Sequence, residues 1–154
     1  MQLNIKRRVL NSTPFSNTNL HPIIQNIYAG RGITSPEQIK RKAGELLPVS
    51  SLKGIDDAMP LLHDALIHQQ HITIVGDFDA DGATSTALMM LGLRKLGFNN
   101  VSYKVPNRFD YGYGLSPELA RDIITQGTDL IITVDNGISC LAGVSLVKEA
   151  GIKV

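Results

Sequence analysis

Short runs of β-branched and apolar residues alternate with longer amphipathic segments along the chain from Gly54 onward. The short runs have the length and composition of buried strands. The predicted strands are residues 71–76, 101–105 and 130–134. The longer segments end at glycine, as many helices do. The predicted helices are residues 83–96, 117–126 and 140–150, the last with Ser139 as its N-cap.

Strands that alternate with helices predict right-handed crossovers and an α/β fold with a Rossmann-like parallel sheet. Residues 152–154 continue the pattern as the start of a fourth strand, and the chain stops within it. A doubly wound sheet rarely ends inside a strand that has only begun. We therefore expect an incomplete α/β domain, truncated in the fourth strand.

The first third of the chain lacks this alternation. Ser35 opens a short helical segment with the capping-box spacing to Gln38. Apolar residues spaced three or four apart from Ile55 onward predict a helix before the first strand. We expect a basic, partly helical N-terminal arm at 1–53 and the incomplete α/β domain at 54–154.

The net charge of +1 hides an asymmetry between these two parts. Residues 1–45 hold seven Lys and Arg against two Glu, a charge of +5, and the remainder holds eight against twelve acidic residues, a charge of −4. A basic arm on an acidic body suits a protein that holds a polyanion and gathers carboxylates around a cation. Taken alone, the charge pattern favours an ordinary solvated surface.

No apolar run approaches the roughly 20 residues that span a bilayer, and residues 1–10 lack the apolar segment of a secretion signal. We therefore expect no membrane partner and a cytoplasmic location. The single cysteine, Cys140, cannot form an internal disulfide, and we interpret it as a small packed apolar residue.

Three aspartates, Asp77, Asp79 and Asp81, follow directly on the first predicted strand. Alternate residues of an extended segment point to the same side, so we expect these carboxylates to converge. Their charges repel one another, and no Lys or Arg lies within the motif to offset them. A divalent cation is the natural compensator, and hard oxygen ligands favour Mg²⁺ or Mn²⁺.

Three alternatives to a Mg²⁺ or Mn²⁺ site exist for residues 77–82. Two are other sequence motifs that contain some of the same residues, and the third is a solvated acidic turn. A calcium-binding EF-hand loop needs a glutamate at its twelfth position, where this chain has Leu88, and a helix where this chain has a strand. The aspartyl-phosphate phosphatase motif needs Thr or Val where this chain has Asp81 or Ala83. A buried strand that delivers three aspartates to a helix start argues against the solvated turn.

Asp135 occupies the corresponding place after the third predicted strand. The first and third strands of a doubly wound sheet are commonly neighbours, and ligands bind at their carboxyl ends. We therefore expect Asp79, Asp81 and Asp135 to face one crevice, although Asp-Asn-Gly alone is typical of a turn.

Three segments of the chain together resemble the DHH superfamily of phosphoesterases. Residues 75–85 and 133–139 match motifs I and II of that family, and residues 105–116 are similar to its members that degrade single-stranded DNA. The resemblance implies that Asp79, Asp81 and Asp135 are catalytic metal ligands, with Asp135 as the bridge between two Mn²⁺ or Mg²⁺ ions. It also implies that Asp77 is a ligand or supports the ligands.

The resemblance further implies a nucleic-acid-binding role for part of the segment that follows the second strand. Arg108 suits a phosphate contact, and Tyr111 or Tyr113 could stack on a base. The implied nucleic-acid-binding residues are Asn107, Arg108, Tyr111 and Tyr113.

The function implied is that of the N-terminal part of a metal-dependent exonuclease that degrades single-stranded DNA from the 5′ end in recombination and repair. Its implied partners are single-stranded DNA, a single-stranded-DNA-binding protein and a repair helicase. The Asp-His-His motif that names the family should follow the fourth strand and is absent, so we expect the chain alone to be inactive. The four histidines do not replace it.

Two alternatives remain open. The first is another DHH-family enzyme, either an oligonucleotide phosphodiesterase or a pyrophosphatase. The second is a non-catalytic fragment that binds a cation or nucleic acid.

Overall fold

The computed structural model describes Lys6, Phe15 and residues 18–154. It divides into two compact units, Met1–Leu52 and Lys53–Val154. Arg7 and Arg8 of the predicted basic arm lie outside the described residues. Within the described part, no helix is long and apolar enough to cross a bilayer.

The described residues of the first unit form one α-helix, α1 (Pro22–Gly30), and three short 3₁₀ helices. The 3₁₀ helices are Pro36–Ile39, Ala43–Glu45 and Val49–Ser51. The predicted capping box is confirmed, since the Gln38 side chain accepts a hydrogen bond from the Ser35 N–H at 3.1 Å. The rings of Phe15 and Tyr28 pack together with centroids 5.6 Å apart.

The second unit contains a three-stranded parallel sheet between helices, and the predicted α/β fold is confirmed. Its elements are α2 (Ile55–Ile67), β1 (Ile72–Val75), α3 (Ala80–Lys95), β2 (Val101–Lys104), α4 (Pro117–Thr125), β3 (Leu130–Thr133) and α5 (Leu141–Glu149). The strand order is β2-β1-β3, with Ile72 opposite Val101 on one side and Leu130 on the other. The predicted adjacency of the first and third strands is therefore correct.

Alternating residues of β1 supply two apolar cores, one on each face of the sheet. Ile72 and Ile74 pack with Ala65 of α2 and Leu93 of α3. Val75 packs on the other face with residues of α4 and α5, including Leu119, Ile123 and Val147. Each fully buried aliphatic side chain contributes about 1.5–3 kcal/mol, so both layers hold β1 and β3 firmly in place.

Two helix starts differ from the sequence prediction. Helix α3 begins at Ala80 and not at residue 83, because the Asp79 carboxylate accepts hydrogen bonds from the N–H groups of Asp81 and Gly82 at 3.1 and 3.0 Å. An aspartate at this position satisfies N–H groups that the helix leaves free. Helix α5 follows Cys140 and not Ser139, since the Cys140 N–H closes a turn onto the carbonyl of Gly137 at 3.0 Å.

Pairing beyond β3 is limited to the last residues of the chain. Lys153 forms one parallel bridge with Leu130. The Ile131 N–H donates to the Lys153 carbonyl at 2.8 Å, so the chain pairs with β3 at the place where the sequence predicts the start of a fourth strand.

Candidate metal centre and nucleic-acid interface

Carboxylates from the ends of two neighbouring strands meet at one edge of the sheet. Asp77 lies two residues after β1, Asp79 is the N-cap of α3, and Asp135 lies two residues after β3. Each of the three offers an oxygen, and these oxygens all lie within 4.8 Å of one another. Such a group has the size and donor type of a site for a hard divalent cation.

Glycine allows the start of α3 to pack directly on the strand end. A Cβ at Gly82 would clash with the backbone of Asp77, and one at Gly76 would clash with the Thr86 hydroxyl. The first turn of α3 can therefore lie against the Asp77 backbone, which brings the Asp79 cap next to Asp77.

The turn that carries Asp135 has an unusual backbone. Its φ of +59° lies in the left-handed region that non-glycine residues rarely adopt. The Asn136 side-chain amide donates to the Val75 carbonyl at 3.0 Å and to the Val134 carbonyl at 2.8 Å, which ties the ends of β1 and β3 together. The Tyr113 hydroxyl donates to the Asp135 carbonyl at 3.1 Å.

The electrostatics of this group favour a cation. Asp77 is only 4% exposed, and its Oδ1 has no hydrogen-bond partner among the described residues; nor has the buried Oδ1 of Asn136. Partial desolvation, followed by the negative charges of Asp79 and Asp81, raises the pKa of Asp135 above its ordinary value, although Asp135 as a residue is exposed. None of the ion pairs in the described part involves these four aspartates. Unpaired acceptors and uncompensated charges fit Mn²⁺ or Mg²⁺.

Asp81 lies in the first turn of α3 and outside the group of three close carboxylates. The expectation that Asp77, Asp79 and Asp81 alternate along an extended segment was wrong, because the helix has already begun at Ala80. Asp81 and Asp135 instead line one open pocket, together with Ser85. A role for Asp81 as a ligand stays a prediction.

The predicted nucleic-acid-binding residues lie on the loop after β2. The Asn107 side chain accepts from the Phe109 N–H at 3.0 Å and donates to Asp110 at 2.7 Å, so it is engaged in a local turn. The exposed Arg108 guanidinium lies over the Phe78 ring, 4.1 Å from its centroid, a cation–π contact. It forms no ion pair with any residue that the structure describes, so its donors are available to an anion.

The two tyrosines of this loop differ in environment. Tyr111 is half-buried against the core between the sheet and α4 and α5. Tyr113 is 50% exposed, and its pKa is raised by partial desolvation and then by the charges of Asp77 and Asp135. Contact of either ring with a base stays a prediction.

Sequence reasoning missed two residues of this region. Phe78 supports Arg108, and Asn136 connects the two strand ends. The only sequence signals were an aromatic residue between two aspartates and an Asn-Gly pair, and both are common outside functional sites.

None of the three histidines of the second unit belongs to the group formed by Asp77, Asp79 and Asp135. His71 is at the opposite end of β1, where its Nε2 is 2.8 Å from the Ser102 hydroxyl. His68 pairs with Asp64 on α2 at 3.0 Å. His63 is an exposed residue of α2, and His21 caps α1.

A model of the DHH family, described as its N-terminal domain, matches residues 71–154, which include β1 to β3 and all four aspartates. The chain belongs to the DHH family. DHH membership was the expectation from motifs I and II, and it is confirmed.

Named relatives of the chain within the DHH family are exonucleases. The single-stranded-DNA-specific exonuclease RecJ of Salmonella typhimurium is 48% identical over 153 residues, which cover 99% of this chain and 26% of that protein. The RecJ of Escherichia coli is 44% identical with the same coverage. The chain thus spans about a quarter of the length of these relatives.

Two solved structures of RecJ exonucleases are similar in fold to this chain. A crystal structure of exonuclease RecJ bound to manganese is 37% identical, with a TM-score of 0.62 over 70% of this chain and 27% of that chain. RecJ from Thermus thermophilus in complex with Mn²⁺ is 32% identical, with a TM-score of 0.58 over 81% of this chain and 17% of that one.

Proposed function

We propose that this chain is the N-terminal part of a metal-dependent exonuclease that degrades single-stranded DNA from the 5′ end in recombination and repair. The observation that carries the proposal is the convergence of Asp77, Asp79 and Asp135 at the ends of β1 and β3. Exonuclease activity on single-stranded DNA is the named activity of the DHH relatives, and two of their structures contain manganese.

In this proposal Asp79, Asp81 and Asp135 are the catalytic metal ligands, and Asp77 ligates or supports them. Asp135 comes from a different strand than the other three and lies beside both Asp79 and Asp81, which suits a bridging ligand. When bound, two divalent cations activate a water and stabilise the leaving oxygen of a phosphodiester. The buried Asp77 and the packed start of α3 keep the ligands in place before any cation binds.

The loop after β2 supplies the contacts to DNA. Arg108 binds a phosphate, and its guanidinium lies over the ring of Phe78, the residue between Asp77 and Asp79 in the sequence. Tyr111 and Tyr113 are candidates for base contacts, and Asn107 shapes the loop through its bonds to Phe109 and Asp110.

For the whole protein we propose a basic, partly helical N-terminal arm at 1–53, a DHH-type domain from residue 54, and a cytoplasmic location. A single-stranded-DNA-binding protein and a repair helicase are the proposed protein partners. We expect the 154-residue chain by itself to be inactive, because the Asp-His-His motif of the family is not within it.

The proposal is tested in the full-length protein with 5′-labelled single-stranded DNA and Mn²⁺. Changing Asp135→Asn removes a charge and a ligand while it keeps the side-chain size, and we expect nucleotide release to fall at least ~100-fold, since it removes a ligand of both ions and not only a partner behind the ligands.

The control is Asp57→Asn, an exposed aspartate in the first turn of α2. Asp110 is less suitable because it accepts a hydrogen bond from Asn107. Wild-type release rates in the Asp135→Asn enzyme, or equal losses in both variants, would contradict the proposal.

A further inference from the structure

The Asp135 turn needs support from outside its own backbone. A φ of +59° is costly for a residue with a Cβ and persists only where neighbouring groups hold it. If the turn relaxed, the carboxylate would move away from Asp77 and Asp79.

Side chains fix the peptide units on both sides of Asp135. The Asn136 amide donates to the carbonyl of Val134 at 2.8 Å, before the turn residue, and to Val75 on the neighbouring strand. The Tyr113 hydroxyl donates to the carbonyl of Asp135 itself at 3.1 Å. The bond from Tyr113 comes from a separate loop, since Tyr113 lies 22 residues before Asp135 in the chain.

Two glycines bring Tyr113 to this position. Gly112 and Gly114 flank it with φ of +74° and +62°. A Cβ at Gly114 would lie 2.8 Å from the Cys140 sulfur and 3.3 Å from Asn136 Oδ1, so only glycine lets the loop after β2 pack this closely on the loop after β3. The loop after β2 and the loop after β3 are thus in contact at the point where the Tyr113 hydroxyl donates to the Asp135 carbonyl.

We propose that Tyr113 is a positioning residue for the metal centre, whose hydroxyl holds the Asp135 turn so that its carboxylate faces those of Asp77 and Asp79. This inference rests on the proposed function, because it assigns Tyr113 a role at the same site. It differs from the base-stacking role in one respect: positioning requires the hydroxyl, whereas stacking requires only the ring.

The substitution Tyr113→Phe separates the two roles because it removes one oxygen and keeps the ring. We expect the affinity for Mn²⁺, measured by calorimetry on the full-length protein, to fall about 10-fold, the effect typical of groups that orient a ligand. The Mn²⁺ concentration for half-maximal exonuclease activity should rise in parallel, while KM for single-stranded DNA at saturating Mn²⁺ stays unchanged.

The matched control is Tyr103→Phe, since Tyr103 lies exposed on β2 and its hydroxyl has no hydrogen-bond partner among the described residues. Its Mn²⁺ affinity should equal that of the wild type. Thermal melting checks that each variant folds. Should Tyr113→Phe fail to fold, Tyr113→Met replaces it for the Mn²⁺ affinity alone, because methionine lacks both the hydroxyl and the ring.

Unchanged Mn²⁺ affinity in the Tyr113 variant would overturn the inference, whether or not KM for DNA changes. Asp135→Asn, measured alongside, separates this failure from that of the proposed function. If Asp135→Asn loses Mn²⁺ affinity and Tyr113→Phe does not, only the positioning role fails. If Asp135→Asn retains Mn²⁺ affinity, both fail.

Discussion

At the scale of single residues, Asp79 has two roles that its chemistry allows at once. One carboxylate oxygen caps α3 through the N–H groups of Asp81 and Gly82, and the residue also offers an oxygen to the group with Asp77 and Asp135. An asparagine retains the capping oxygen but loses the charge, whereas an alanine loses both.

The two roles predict different results for two substitutions. In metal-free protein, Asp79→Ala should lower the free energy of unfolding by about 1 kcal/mol relative to Asp79→Asn, because only alanine leaves the helix uncapped. Both variants should lose Mn²⁺ affinity. Urea denaturation and calorimetry measure the two quantities, and equal stability of the Asn and Ala variants would show that the cap does not stabilise α3.

The residues that complete the site were the hardest to predict from the sequence. Motif spacing was enough to nominate the four aspartates as candidate ligands, but it could not show that Asn136 bonds to Val75, 61 positions away. Nor could it show that Phe78 lies beneath Arg108. These contacts depend on how β1, β2 and β3 are placed side by side, which no local pattern encodes.

At the scale of elements, the three strands, their parallel arrangement and the adjacency of the first and third were predicted correctly, because the apolar runs between glycine-ended helices are unambiguous. The start of α3 was misplaced by three residues. The spacing of apolar residues reveals a helix only from its first apolar positions onward, whereas the helix itself begins directly after its N-cap, Asp79. That difference moved Asp81 from the predicted extended segment into the helix.

The close packing of α3 on the end of β1 gives a prediction with a control in the same helix. A Cβ at Gly82 would clash with the Asp77 backbone, so Gly82→Ala should destabilise the protein by about 1–3 kcal/mol. Gly92 has no atom within 4 Å of an added Cβ, so Gly92→Ala should stabilise by about 0.5–1 kcal/mol through helix propensity. Denaturant unfolding of both variants checks this, and a neutral Gly82→Ala would contradict the packing.

At the scale of the whole molecule, the chain belongs to the DHH family, and we propose that its α/β sheet carries one side of a phosphoesterase site. It spans about a quarter of its named relatives, so the remaining ligands and most of the DNA path are proposed to lie in the rest of the full-length protein. The carboxylates of this chain are nevertheless brought together by its own two strands, and cation binding should therefore be a property of the chain itself.

The most direct test of that claim is a double-mutant cycle for Mn²⁺ binding to the chain, with Asp79→Asn, Asp135→Asn and the double variant. If the two carboxylates share one ion, each single substitution should lower the affinity about 10-fold or more, and the double variant should lose little beyond the larger single effect. Asp57→Asn should bind as the wild type does. Large but additive losses would show that the two carboxylates do not share one ion, and losses no larger than in Asp57→Asn would show that the cation binds diffusely. Either result would contradict a shared metal centre at the strand ends of β1 and β3.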